Sequence, residues 1–295
     1  MFLTGAADVA MCVAVFVLGM AVGSFLNVVI YRLPRDGMSI VRPLRSFCPN
    51  CLVPIAWYDN IPILSWLLLR GRCRSCHKPI HFRYPLVELI CALLALSLYS
   101  IYGISFRLFF LYYFTICLVA IAFIDLDLMV IPDQLNLPTM FLGLLLSIIS
   151  PDVQLSGFLL WDKWSLMGWP PYLISLFGSI MGGLLGFFAL FFLSWIYLKW
   201  RKRKGMGDGD PLLLATIGVF LGWRAIFPVI MIATILALAV IVFLIFSGRI
   251  PQARKGEGSL TPIPFGPFLS LAAILWLFYG EAVTNWYYNF MGLAS

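Results

Sequence analysis

Long apolar runs broken by short polar segments dominate the chain, with little of the regular alternation that marks a water-facing helix or strand. Runs of about 17–25 residues, the length a helix needs to cross a hydrocarbon core, lie at 9–31, 85–103, 107–124, 134–150, 172–198, 211–223, 226–247 and 265–284. The stretch 211–248 holds one internal charge, Arg224, between Gly222-Trp223 and Pro228, and reads as two helices joined by a tight turn. The pattern predicts an all-α polytopic membrane protein with about eight transmembrane helices. A polar, Pro-interrupted segment follows the first of them. Three regions result: an N-terminal transmembrane helix at 1–31, a loop domain at 32–84 and a helical core at 85–295. No repeat of fixed period is visible.

Composition supports the lipid reading. Of 295 residues, 62% are apolar and 11% charged, and the mean hydropathy is +0.98; a water-soluble domain is roughly 45–50% apolar and about 25% charged. A cytosolic enzyme, a disulfide scaffold and a disordered linker are excluded. No Lys or Arg precedes the first span, so it reads as a retained anchor with its N-terminus outside, not a cleaved signal.

The net charge of +7 is mostly topology. Nine of the twenty basic residues fall in 32–84, five follow the fifth span (Lys199, Arg201, Lys202, Arg203, Lys204) and three follow the seventh (Arg249, Arg254, Lys255). With eight alternating spans, those seventeen share one side and only Arg107, Lys163 and Arg224 face the other, so the seventeen-residue side is cytoplasmic. Trp161, Trp164 and Trp169 on the opposite side suit an interfacial belt. The basic residues are read as topology and lipid contact; no groove-reading motif points to nucleic acid.

Cys12, Cys91 and Cys117 lie in apolar spans as small packing residues. Cys48-Pro-Asn-Cys51 and Cys73-Arg-Ser-Cys76 form two C-x2-C knuckles in the loop, which together offer a tetrahedral four-sulfur shell with zinc-ribbon spacing. One structural Zn2+ would staple a segment too polar to build its own core. Cys73–His77 also spells the C-x-x-C-H haem-attachment pattern, but a cytoplasmic loop weighs against haem and, by its redox state, against disulfides. His77 and His81 are read as loop residues.

Thirteen acids remain to be accounted for. Glu88, one turn into the second span, has Arg83 and Arg32 as candidate partners. Asp125, Asp127 and Asp133 cluster where the third span ends, and Asp208 and Asp210 stand in Gly205-Met-Gly-Asp-Gly-Asp-Pro211 where the sixth begins. Both places lie on the cytoplasmic side, so carboxylates distant in sequence can meet at one membrane face. Two facing carboxylates that share a proton supply a base to activate water and an acid to protonate a leaving group. The bland alternative is helix caps and loop acids balancing nearby cations.

Ordered motifs over most of the chain resemble those of the prepilin leader peptidase/N-methyltransferases of type IV pilus and type II secretion systems. They are Gly23-Ser-Phe-Leu-Asn-Val-Val-Ile-Tyr-Arg-Leu-Pro34, the two Cys knuckles, Trp57–Trp66, Arg83-Tyr-Pro-Leu-Val-Glu88, Ile124-Asp-x6-Pro132, Gly205–Asp210 with Pro211–Ala215, Leu221-Gly-Trp223 and Ile263-Pro-Phe-Gly-Pro-Phe-Leu269. The resemblance implies a GxGD-type intramembrane aspartyl protease. Its first aspartate, seven residues before the motif proline, is Asp125; its second, closing Gly207-Asp208-Gly209-Asp210, is Asp210. Asp208 fills a variable position and leaves Asp208 and Asp210 as alternatives, and Leu212 stands where members commonly carry Lys.

The implied activity is cleavage of basic leader peptides from prepilins or pseudopilins at the cytoplasmic face of the bacterial inner membrane. Methylation of the new N-terminus from S-adenosylmethionine would follow. Gly23, Asn27 and Arg32, with the Cys loop, are the candidate methyltransferase residues. Two rivals stand beside this reading: a GxGD protease without methyl transfer, and a non-enzymatic transporter or assembly protein whose acids bind ions.

Overall fold

The computed structural model describes residues 6–35, 37–43, 45–151, 168–202, 207–247 and 263–290. Among them are α1 (Ala6–Arg32), a 3-10 turn (Trp57–Asn60), α2 (Leu64–Leu68), α3 (Arg83–Tyr102), α4 (Phe106–Leu128), α5 (Asp133–Ile149), α6 (Pro171–Arg201), α7 (Asp210–Leu221), α8 (Trp223–Phe246) and α9 (Gly266–Phe290). All eight expected apolar segments are therefore helices, and six are long and apolar enough to cross a membrane. The exceptions, α5 and α7, have 17 and 12 residues. At 1.5 Å per residue they span about 25 and 18 Å, short of a roughly 30 Å hydrocarbon core. Trp161, Trp164, Lys163, Arg203, Lys204, Gly205, Arg249, Arg254 and Lys255 lie outside the described residues.

Two compact units divide the chain, Met1–Ala120 and Ile121–Ser295. In the first, α1 packs along α3 at a distance only glycine permits. A Cβ on Gly19 would lie 2.7 Å from the Ala92 Cα, and one on Gly23 would lie 2.7 Å from the Glu88 Cα. One turn further on, the Asn27 amide donates to the Tyr84 carbonyl at 3.1 Å. The matched steps run in opposite directions, so the helices are antiparallel.

The second unit is organised around α7. Ten of its twelve residues are buried, and α5, α6, α8 and α9 pack on it. Because protein rather than lipid surrounds it, this helix does not need the length of a membrane span. The contact with α6 is the closest. Gly178, Gly182 and Gly186 repeat at four-residue steps on its buried face beside Ser175, Ser179 and Gly183, the small-residue stripe that lets membrane helices approach. A Cβ on Gly186 would come within 2.5 Å of the Leu214 carbonyl oxygen, and one on Gly182 would overlap the Gly218 carbonyl. Gly222, at φ +78°, breaks α7 from α8 where the sequence predicts the tight turn. The outer surfaces of α6 and α8 expose Phe192, Trp195, Leu238 and Phe243, as lipid-facing surfaces do.

Candidate functional site

The carboxylates that the sequence leaves as alternatives differ sharply in the fold. Asp125 and Asp210 are 5% and 4% exposed, whereas Asp127, Asp133 and Asp208 are exposed. Helical geometry produces the difference at α4: its last turns carry Asp125 inward with Ile121 and Ile124, and two residues on, about 200° around the axis, Asp127 points outward. At α7 the aspartate that begins the helix is buried, and the one two residues earlier stays outside.

Each buried carboxylate is held by one backbone amide. The Gly207 N–H donates to Asp210 Oδ2 at 3.1 Å, and the Gly266 N–H, at the first residue of α9, donates to Asp125 Oδ2 at 3.0 Å. That amide is one of the four a helix N-terminus leaves unsatisfied. Gly266 must be glycine for steric reasons, since a Cβ there would sit 2.6 Å from the same oxygen. Gly209 makes a second close approach: its Cβ would be 2.7 Å from that of Ile131, in the turn between α4 and α5. The two aspartate-bearing segments are thus held against each other, close enough for the charge of Asp125 to act on Asp210. Gly266 and Ile131 are the residues that sequence reasoning missed. The Pro-Phe-Gly-Pro motif was visible, but nothing in it indicated that its amide faces Asp125.

The four loop cysteines also converge. Their sulfurs all lie within 4.8 Å of one another, with Cys48 Sγ and Cys76 Sγ 3.9 Å apart; a tetrahedron with metal–sulfur bonds of about 2.3 Å has edges of about 3.8 Å. The two knuckles are copies offset by 25 residues. Leu52 N–H donates to Cys48 O and His77 N–H to Cys73 O, at 2.8 and 2.9 Å; Cys48 N–H donates to Val53 O and Cys73 N–H to Lys78 O, both at 3.0 Å. Leu52 and His77 share positive φ, +59° and +55°, and the bridges Phe47–Pro54 and Arg72–Pro79 correspond. The repeat C-x2-C-x2-Pro-Ile is legible at 48–55 and 73–80, although no repeat was expected. His77 and His81 are exposed.

The thiols are electrostatically unequal. Backbone amides of Cys76 and Ser75 draw Cys73 down to about 7. Cys51 has the Val53 amide as its largest influence, which lowers its pKa, but desolvation and the three other thiols together push it up to about 11. Four thiolates cannot crowd together without a cation among them, and the donor set suits a tetrahedral soft-metal site.

The three residues from the first motif separate into different surroundings. Gly23 is the contact between α1 and α3. Arg32, 4% exposed, donates to the carbonyls of Ser39, Ile40, Pro43 and Arg45 at 2.8–3.3 Å and lies 5.5 Å from the centre of the Phe47 ring. It shapes the chain entering the first knuckle and is not a partner for Glu88. Asn27 and Arg32 both line a cavity of about 590 Å3 between the knuckles and the ends of α1 and α3.

The fold and these sites define a polytopic membrane protein with a buried carboxylate pair in one unit and a four-thiol loop in the other. Residues 17–102 match the Bacterial Peptidase A24 N-terminal domain and residues 112–243 the Type IV leader peptidase family. A protein from Aeromonas hydrophila named prepilin leader peptidase/N-methyltransferase is 36% identical over 92% of both chains. Proteins of the same name are 37% identical in Aeromonas salmonicida, over 92% of both chains, and 34% identical in Stutzerimonas stutzeri, over 94% of this chain and 93% of that one. The chain belongs to the type IV leader peptidase family, a family of aspartic peptidases. No solved structure matches it.

Proposed function

We propose that this protein is a bifunctional prepilin leader peptidase and N-methyltransferase of the bacterial inner membrane, with Asp125 and Asp210 as its catalytic pair facing the cytoplasm. The carrying observation is the pair itself: two buried carboxylates from the ends of α4 and α7, each fixed by a glycine amide. One carboxylate takes a proton from the attacking water while the other, protonated, gives one to the leaving nitrogen. The Gly207 and Gly266 amides hold the oxygens that do not exchange protons. Gly207, Asp208 and Gly209 form the loop that delivers Asp210.

The substrates are prepilins or pseudopilins of a type IV pilus or type II secretion system, cleaved while their hydrophobic helix remains in the bilayer. Their leaders are basic, as is the cytoplasmic loop, so contact between substrate helix and enzyme helices, not bulk charge attraction, provides the affinity. The excess of basic residues on one side supports the cytoplasmic orientation.

Cys48, Cys51, Cys73 and Cys76 hold one Zn2+ as a structural staple, since the protein provides all four ligands and no position is left open. S-adenosylmethionine is the methyl donor, and the 590 Å3 cavity is its candidate site. Its size lies within the range of small-ligand pockets, and the buried Asn27 Oδ1 on its wall has no hydrogen-bond partner. Replacing Asp125 or Asp210 by Asn and following prepilin cleavage by gel shift tests the protease assignment. Full processing by either variant removes it.

A further inference from the structure

The inner wall of the 590 Å3 cavity carries two acceptors whose needs are not met by their neighbours. Asn27, 5% exposed, uses its amide nitrogen on the Tyr84 carbonyl at 3.1 Å, so the orientation of the side chain is set and Oδ1 is the atom without a donor. A buried amide oxygen in that condition is unfavourable unless a ligand or water completes it. Tyr84 and Glu88 are four residues apart on α3, so the Glu88 carboxylate is the next group along the same face.

Glu88 is 8% exposed. Its carboxylate accepts the Ile63 N–H at 2.7 Å, and its other neighbour on the wall is the neutral Ser24 hydroxyl. Neither partner brings a positive charge, and a carboxylate has about four acceptor positions. Asp59, the other acid on the cavity wall, is by contrast bound to Arg74 through both oxygens, at 2.7 and 2.8 Å. The wall is also strained beside Glu88: Ile63, a β-branched residue, sits at φ +59°, ψ −50°, a conformation found where a site holds its backbone in place. Ser24, Asn27, Ile63, Tyr84 and Glu88 all line the cavity.

We propose that Asn27 and Glu88 form a subsite for a primary ammonium group. An ammonium brings the positive charge Glu88 lacks and three N–H donors, one of which satisfies Asn27 Oδ1. This rests on the methyltransferase half of the proposed function, where two ligands carry such a group: the amino-acid portion of the methyl donor and the fresh N-terminus of a cleaved substrate.

The test uses the full-length, zinc-replete protein in detergent and reads binding, not turnover. Calorimetry measures S-adenosylhomocysteine against its deaminated analogue, and a mature-N-terminus peptide against its N-acetylated form. Glu88→Gln keeps an acceptor for Ile63, and Asn27→Leu removes the free oxygen; each is expected to weaken one amine-bearing ligand about tenfold or more, as loss of a charge-assisted hydrogen bond does. Binding of the matching amine-free ligand stays unchanged. Asn27→Asp, which keeps the acceptor and adds charge, is expected to bind the same ligand at least as tightly as the parent. The ligand that responds identifies which ammonium occupies the subsite. Equal affinity of parent and variants for both amine-bearing ligands overturns the subsite while leaving the methyltransferase reading in place, and so does an equal loss for amine-bearing and amine-free forms. A parent protein that binds neither S-adenosylhomocysteine nor the peptide overturns both.

Discussion

Replacing Gly266 by Ala separates the geometry of the carboxylate pair from the stability of the fold. The added methyl would stand 2.6 Å from Asp125 Oδ2, where a carbon–oxygen contact needs about 3.2 Å, so the carboxylate must retreat by about 0.6 Å. The amide that now holds that oxygen at 3.0 Å would be stretched or misdirected. A misplacement of about 1 Å costs roughly 100-fold in rate, and a shift of about 0.6 Å is therefore expected to slow leader cleavage roughly 10- to 100-fold. Helix stability moves the other way, since Ala is the better helix former by up to about 1 kcal/mol. The clash is also with a side chain able to rotate. Thermal unfolding in detergent should accordingly change little, and methyl transfer to a peptide already lacking its leader should be unaffected. Time-resolved gel shift of a prepilin, with melting temperature and methyl incorporation measured on the same preparation, provides the three readings. Cleavage at the parental rate would refute the reasoning, because the Gly266 amide could not then be placing a reacting carboxylate. A collapse of all three readings would equally refute it as a local effect.

Other outcomes follow from the same geometry. Asp127→Asn and Asp208→Asn alter exposed acids and should leave cleavage within a few-fold of the parent, unlike Asp125→Asn and Asp210→Asn; an inactive Asp208 variant with an active Asp210 variant would reverse the assignment. Zinc binding should release protons in a pH-dependent way: Cys51, at about 11, contributes one throughout, while Cys73, at about 7, is mostly ionised at pH 8 and mostly protonated at pH 6. Calorimetry in buffers of different ionisation enthalpy should find about 0.8 proton more from Cys73 at pH 6 than at pH 8, with affinity falling as pH falls; a release independent of pH would contradict the thiol inequality. Gly182→Ala should destabilise the second unit by about 1–3 kcal/mol, because its methyl meets the Gly218 backbone. Gly183→Ala should cost less, because its methyl meets a Val219 side-chain carbon at 2.8 Å. Equal melting temperatures would argue against the tight α6–α7 contact.

The apolar runs and their polar breaks determined the eight helices, because solvation by lipid depends on composition over about twenty residues and needs no knowledge of neighbours. The turn at Gly222 and the pairing of the cysteine knuckles were equally legible, since each rests on local backbone chemistry. What length alone could not indicate is that α7 is not a lipid-facing span. A run of twelve residues looks like a truncated crossing until four helices are seen to enclose it. The 25-residue offset between the knuckles was written in the sequence but obscured by dissimilar residues between the cysteines, and the shared hydrogen bonds exposed it.

For the site, sequence brought five aspartates to one membrane face, and resemblance to a family named two of them. Only the tertiary structure distinguished them by environment, burying Asp125 and Asp210 and leaving Asp127, Asp133 and Asp208 outside. It also brought the Gly266 amide to Asp125 across 141 positions of chain, and set Asn27 and Glu88 on one cavity wall while turning Arg32 to the carbonyls of its own loop. The physical reason is common to these cases. Helix formation and membrane partition are sums over local residues, whereas burial of a polar group and the partner that satisfies it depend on which surfaces meet, and that is decided when the helices pack.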